Sequence, residues 1–322
     1  MNNLKIAFAS DLHLEFRDIR LKNDNNADVL CLCGDIFVSK DLAAYDEEYA
    51  NFRSMRIHDF LIDCANNFNH VILVAGNHTF YHGDFHSGIT NMKTHLSYIK
   101  NLHILDNESV DIDGVLFIGS TMWSDMNKED PETIRYINRS MNDFRVIQNS
   151  KSLVEYKVAV SDDSDNPATI DPYTGKGIKY ERRYRLGSFT PYDAIDEFHK
   201  STKFIRDTID ENQDKKIVVI THHSPSYSSI SPIYEYDSLM NGGYHSNCES
   251  LMKDNVILWG YGHTHNPHSY YIGDTLLVCN PRGYDGHEAC ADKFKLITID
   301  IDDRPTTDEI KNDQYWEFHP EL

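Results

Sequence analysis

The chain has 322 residues, 40% of them hydrophobic and 25% charged, and its 31 basic and 51 acidic side chains give a formal charge of −20. No apolar run reaches the ~18–20 residues that a membrane-spanning helix needs, so the composition is that of an ordinary folded protein away from the bilayer. A field of that sign repels a long polyanion and disfavours extended duplex nucleic acid as a substrate.

In chain order, short β-branched runs alternate with helical patterns. Leu4–Ala9 reads as a buried strand ending in Ser10-Asp11-Leu12-His13, and 28–33 as a second ending in Gly34-Asp35. Apolar residues at helical spacing (Phe52, Met55, Phe60, Leu61, Cys64, Phe68) predict a helix within 41–68. The strand 70–75 runs into Gly76-Asn77-His78, and helices are expected over 89–99 and 131–148. Between those two helices, 110–119 reads as a hairpin around Asp113-Gly114.

The segment 150–187 differs from its surroundings. It is expected to be an excursion with a strand or two, with an acidic turn at 161–165, a Pro/Gly-rich stretch at 167–177, and a cationic, aromatic tip. That tip (Lys179, Tyr180, Arg182, Arg183, Tyr184, Arg185) could face an anionic substrate or a partner. A helix is expected over 192–211, a strand over 216–220 ending in Thr221-His222-His223, and a helix over 246–253. A strand over 256–260 leads to Gly262-His263-Thr264-His265, and 269–279 reads as a second hairpin, turning at Gly273-Asp274. The alternation predicts an α/β chain with mixed sheets, a single domain over 1–322 with an insertion at about 150–187.

The six cysteines (Cys31, Cys33, Cys64, Cys248, Cys279, Cys290) show no regular spacing and read as reduced, mostly buried thiols. The N-terminus lacks a basic stretch followed by a cleavage site, so the expected location is the cytoplasm.

Asp11, His13, Asp35, Asn77, His222, His263 and His265 all fall at expected strand ends. The pairs Asp11/His13 and His263/His265 are two residues apart, so in an extended chain each pair points to one side and can converge on one cation. Imidazole and carboxylate without thiolate suit Mn²⁺, Fe, Zn²⁺, Co²⁺ or Ni²⁺, and seven ligands suit two ions rather than one. Two cations can clamp a phosphoryl group and activate a water between them; Asp35, midway in chain order, is the natural bridge. His78, next to Asn77, is placed to give a proton to the departing oxygen.

The ordered set DLH at 11–13, GD at 34–35, GNH at 76–78, THH at 221–223 and GHTH at 262–265 resembles the signature of the calcineurin-like metallophosphoesterase superfamily. The resemblance implies two mixed β-sheets packed as a sandwich with flanking helices. It implies Asp11, His13 and His265 on one metal, Asn77, His222 and His263 on the other, Asp35 bridging, and His78 near the leaving group. Segments 77–82, 122–126, 141–147 and 280–284 are similar to a bacterial and phage subgroup in which they line the pocket rim. That likeness makes Tyr81, His82, Trp123, Asp143, Arg145, Arg282 and Tyr284 candidate substrate contacts; His223, beside His222, is a further candidate. The acidic residue usual after GNH is Thr79 here.

The expected function is a two-metal phosphohydrolase, with manganese as the leading metal and attack by a metal-bridging hydroxide. A small, nucleotide-like phosphodiester is the favoured substrate, because the acidic chain disfavours long nucleic acid and rim aromatics could stack a base. The alternatives are a phosphomonoesterase, a nuclease on ends or single strands, and a catalytically silent metal-binding scaffold.

Overall fold

The computed structural model describes residues 4–43, 48–162, 173, 177–288 and 290–312. Two mixed sheets lie face to face. The first contains β1 (Lys5–Ala9), β2 (Val29–Cys33), β3 (His70–Val74), β4 (Leu102–Ile104) and, near the C-terminus, β13 (Ile297–Asp300), in the order β13-β1-β2-β3-β4. The second contains β5 (Glu108–Ile112), β6 (Val115–Gly119), β9 (Lys216–Ile220), β10 (Val256–Tyr261), β11 (His268–Ile272) and β12 (Thr275–Cys279), in the order β11-β12-β10-β9-β6-β5. Within each sheet the inner strands are parallel, and the antiparallel partners β13, β5 and β11 sit at edges.

Three apolar layers follow from strand alternation. Ile6 and Phe8 face the second sheet and pack with Val218, Ile220, Leu258 and Val278 between the sheets. Ala7 and Ala9, one residue out of phase, join Leu30, Leu32 and Leu73 under the helices Glu48–Asn67 and Phe85–His95. On the far side of the second sheet, Val219, Trp259 and Leu277 pack against Ile205 and Ile209 of the helix Pro191–Glu211. The order helix–sheet–sheet–helix is the expected sandwich. Parallel strands buried on both faces explain why β2, β6, β10 and β12 are apolar without alternation.

Local chemistry explains where the helices depart from expectation. Asp84 caps the second helix by accepting from the Ser87 amide, so it spans Phe85–His95 rather than 89–99. The helix expected over 131–148 stops at Ser140 because Met141 is extended; a single turn, Asp143–Val146, follows, and a strand starts at Gln148. Only a three-residue turn, Glu249–Leu251, forms in 246–253, whereas an unanticipated helix runs Ser238–Tyr244 across two glycines. The helix expected within 41–68 is preceded by a turn at Ser39–Ala43 and spans Glu48–Asn67. The one at 192–211 is capped by a reciprocal Thr190–Asp193 box and spans Pro191–Glu211.

The excursion is a long two-stranded hairpin, β7 (Gln148–Asp162) with β8 (Gly177–Ser188), rooted by Ser150 N to Asp84 Oδ1 and Asn149 Nδ2 to Asp193 Oδ1. Most of the acidic turn and the Pro/Gly stretch lie outside the described residues. The cationic cluster is therefore not a tip: it lies along the exposed return strand β8, with Arg182 near Glu155 and Arg183 near Glu181. All six cysteines are free, and five are buried. Among the described residues no helix is long and apolar enough to cross a membrane.

Candidate metal centre

The parallel strands of both sheets deliver their C-terminal ends to one side, and the polar loops that follow meet there. Asp11 and His13 follow β1, Asp35 follows β2, Asn77 and His78 follow β3, His222 follows β9, and His263 and His265 follow β10. The turns that aim them are strained. Asp11, His13, Asp35, His263 and His265 all hold φ between 47° and 68°, a left-handed region costing about 1–2 kcal/mol per residue for side chains with a Cβ.

Room for these groups comes from glycines in neighbouring motifs. A Cβ on Gly34, whose φ is 85°, would lie 2.3 Å from Nδ1 of His222. One on Gly76 would lie 2.1 Å from Oδ1 and 2.5 Å from the backbone N of Asp35. The glycines of GD and GNH are thus the contact surfaces for side chains of THH and GD.

Two clusters result. In one, Nε2 of His13 is 3.2 Å from Nε2 of His265, which is 3.4 Å from Asp11 Oδ1. In the other, Nε2 of His222 is 2.9 Å from Asn77 Oδ1 and 3.4 Å from Asp35 Oδ2, with His263 beside them. Ligand atoms within each of the sets Asp11/His13/His265 and Asp35/His222/His263 lie within 4.8 Å of one another.

These residues fit a pair of divalent cations. Nε2 of His13 and Nε2 of His265 approach to 3.2 Å, and among the described residues buried His263 Nε2 has no hydrogen-bond partner. An orphaned imidazole nitrogen beside buried carboxylates is unfavourable to bury without a cation to accept its lone pair. The donor set, imidazole with carboxylate and one amide oxygen, suits a transition metal.

Three of the donors are oriented from behind. Glu288 accepts from Nδ1 of His265 at 2.9 Å, the Cys33 carbonyl from Nδ1 of His222 at 2.9 Å, and Asp143 from the Asn77 amide nitrogen at 2.6 Å. Burial works against the charge of Asp35, but His222 and His78 outweigh it and hold its carboxyl well below the usual range. Burial likewise opposes protonation of His222, yet Asp35 raises it to about 9. His263 goes the other way: burial, then His223 and His222, push it well down and leave it a neutral donor.

The clusters floor a cavity of about 930 Å³. Of the candidate substrate contacts, Tyr81, His82, Asp143 and Tyr284 line it, as does His78. Trp123, Arg145, His223 and Arg282 do not. Trp123 is buried between Phe189 and His223. His223 is buried with its Nδ1 3.4 Å from the Thr121 carbonyl, and its proton affinity falls to about 3 through burial and His222. Arg145 turns outward to the Arg139 carbonyl. Buried Arg282 donates to the carbonyls of Leu12 and Arg17 and to Asp285, so it ties two loops together. Asp143, though at the cavity edge, spends its carboxylate on Asn77. No described residue of the β7–β8 hairpin lines the cavity. Thr79 replaces the usual acid with a hydroxyl that accepts from the Gly76 amide at 3.1 Å.

Sequence reasoning missed Glu15, Glu288 and the wall formed by Tyr234, Asn241 and Tyr244. Glu15 was detectable, since Asp11-Leu12-His13-Leu14-Glu15 continues the two-residue spacing. Glu288 was not: it reaches His265 from 23 residues away through the loop after β12.

A sequence model of the family described as calcineurin-like phosphoesterase matches residues 4–267. An uncharacterized protein, L509, of Acanthamoeba polyphaga mimivirus is 24% identical to this chain, over 92% of it and 96% of its own length. The crystal structure of the phosphopantetheinyl hydrolase PptH from Mycobacterium tuberculosis superposes with a TM-score of 0.57 at 12% identity, covering 92% of this chain and 96% of that one. The structural likeness is one of fold.

Proposed function

The chain belongs to the calcineurin-like phosphoesterase family, a metal-dependent phosphoester hydrolase with a binuclear centre, and from that premise we propose that it is a phosphodiesterase acting on a small nucleotide-like diester. Asp11, His13 and His265 would hold one cation and Asn77, His222 and His263 the other, with Asp35 between them and manganese as the leading metal. When bound, the cations supply Lewis-acid charge for the phosphoryl oxygens and activate the attacking water.

The observation that carries the diester reading is the aromatic surround of the floor. Tyr244 stacks on His263 with centroids 4.4 Å apart, Tyr81 on His78 at 4.0 Å, and Tyr284 packs on His13 at 4.6 Å. Rings against three different site histidines, in a cavity of about 930 Å³, offer apolar contact to substituents on more than one side of a phosphorus atom. The charge of −20 restricts the substrate to something short.

His78 serves the leaving oxygen. Its backbone amide donates to Asp35 Oδ1 at 2.9 Å, its Nδ1 lies 3.1 Å from Glu15, and its Nε2 is 3.3 Å from the Tyr284 hydroxyl at the cavity wall. Burial disfavours its cation, but Asp35 and Glu15 raise its proton affinity above the ordinary value, so it holds a proton to give. We place the protein in the cytoplasm, where free cysteines stay reduced, and read the β7–β8 hairpin as an insertion into one domain.

Purified protein with Mn²⁺ should carry about two ions and turn over bis-p-nitrophenyl phosphate faster than p-nitrophenyl phosphate, and Asp35→Asn should lose both metal and turnover. A preference for the monoester would overturn the diester reading, and an Asp35→Asn variant with full metal content and activity would overturn the site.

A further inference from the structure

Glu15 lies in the loop after β1, two residues beyond His13, and the side chain is only 10% exposed. A single oxygen, Oε1, meets two rings: Nδ1 of His13 at 3.0 Å and Nδ1 of His78 at 3.1 Å. The other oxygen, Oε2, is buried and has no hydrogen-bond partner among the described residues. A carboxylate with one oxygen doubly engaged and the other stranded is costly to bury, so packing alone does not account for it.

We propose that Glu15 is a positioning residue that ties the leaving-group acid His78 to the metal-ligand layer through His13. The proposal rests on the reading of His78 given above. A carboxylate accepts only, so both Nδ1 atoms carry the protons, and both Nε2 atoms face the site: that of His13 toward His265 at 3.2 Å, that of His78 toward the Tyr284 hydroxyl at 3.3 Å. The rings of His13 and His78 meet edge to face at 4.6 Å, so one carboxylate sets both orientations together. Stacking on Tyr81 fixes the plane of His78 but not its rotation within that plane; Glu15 supplies that. As the P–O bond breaks, its electron pair stays on the leaving oxygen, which takes the Nε2 proton. His78 is left neutral, with Nδ1–H still on Glu15, and solvent returns the proton after the alcohol departs.

The rival roles for Glu15 are a purely structural contact and a third cation site, since His13, Glu15 and His78 also offer ligand atoms within 4.8 Å. Two phosphodiesters separate them: bis-p-nitrophenyl phosphate, whose leaving group departs without a proton, and a dinucleoside monophosphate, whose alkoxide needs one. With the full chain and saturating Mn²⁺, Glu15→Ala should lose about 100-fold in kcat on the dinucleotide, less than about 5-fold on the aryl ester, and leave KM unchanged on both. Glu15→Gln keeps the shape and one acceptor and should recover about tenfold of that loss, which also preserves the test if the alanine variant does not fold.

Independently of turnover, ¹⁵N-histidine spectra of metal-free protein should show protonated Nδ1 for His13 and His78 in the parent chain and altered tautomers in both variants. Equal losses on the two esters, or unchanged histidine tautomers, would overturn the proposal. So would a third equivalent of Mn²⁺ in the parent that Glu15→Ala removes, which would make Glu15 a ligand. If the parent shows both Nδ1–H signals yet cleaves neither diester, the diesterase reading fails instead, and the same pair of variants is compared on aryl and alkyl monoesters.

Discussion

Gly76→Ala adds one methyl group to the molecule and should disable the site. The new Cβ would stand 2.1 Å from Oδ1 and 2.5 Å from the backbone nitrogen of Asp35, where an ordinary contact is at least 3.4 Å. The carboxylate alone could rotate away, but the backbone nitrogen cannot, so the turn after β2 has to move by about 1 Å. That turn already holds Asp35 at a φ of 52° and receives the His78 amide on Oδ1 at 2.9 Å, so the Asp35 carboxylate and the His78 backbone, with the bridging and leaving-group roles proposed for them, shift together. A displacement of about 1 Å in such a constellation costs about 100-fold in rate, near 3 kcal/mol of transition-state stabilisation. The assay is kcat/KM on bis-p-nitrophenyl phosphate with Mn²⁺, alongside bound metal and thermal unfolding. Gly83→Ala is the control from the same loop: its Cβ would find its nearest neighbour at 3.6 Å, an ordinary contact, and should change nothing. A Gly76→Ala enzyme with parental kcat/KM and metal content would refute the argument that this glycine exists to make room for Asp35.

Arg282 tests the correction to the sequence reading. Because its guanidinium is buried and spent on Leu12, Arg17 and Asp285, Arg282→Ala should cost about 3 kcal/mol in urea unfolding and leave KM for the diester within about twofold; a raised KM at unchanged stability would restore it as a substrate contact. His245 gives a pH signature. Burial depresses its pKa from 6.5 to about 4 in the folded chain, so between those values the unfolded chain takes up a proton that the folded chain refuses. Its contribution is present above pH 6.5 and falls away as the pH drops toward 4, about 2 kcal/mol of it by pH 5. His245→Gln should flatten the fall in metal-free unfolding free energy between pH 7 and pH 5 by that amount, and an unchanged slope would show that His245 does not carry it.

The sequence by itself determined the chemistry and much of the scaffold. Runs such as Val29–Cys33 and Val256–Tyr261 are short, apolar throughout and closed by glycine-bearing turns, which reads as buried strand, and Asp11, His13, Asp35, Asn77, His222, His263 and His265 could be picked out as candidate ligands because polar groups at strand ends leave a local trace. Hairpins with Asp-Gly and Gly-Asp turns were equally readable, since a local turn needs only local residues. Helix limits were less so: the stop at Ser140 and the turn at Asp143–Val146 serve the bond from Asn77 to Asp143, 66 residues apart, which no local propensity encodes. For the same reason only the tertiary structure separated Tyr81, His82 and Tyr284, which reach the cavity, from Trp123, Arg145, His223 and Arg282, which support it or turn away. Residue type and spacing state what a side chain can do. Which way it faces depends on strained turns and on close approaches such as Gly76 against Asp35, and those exist only once both sheets are packed.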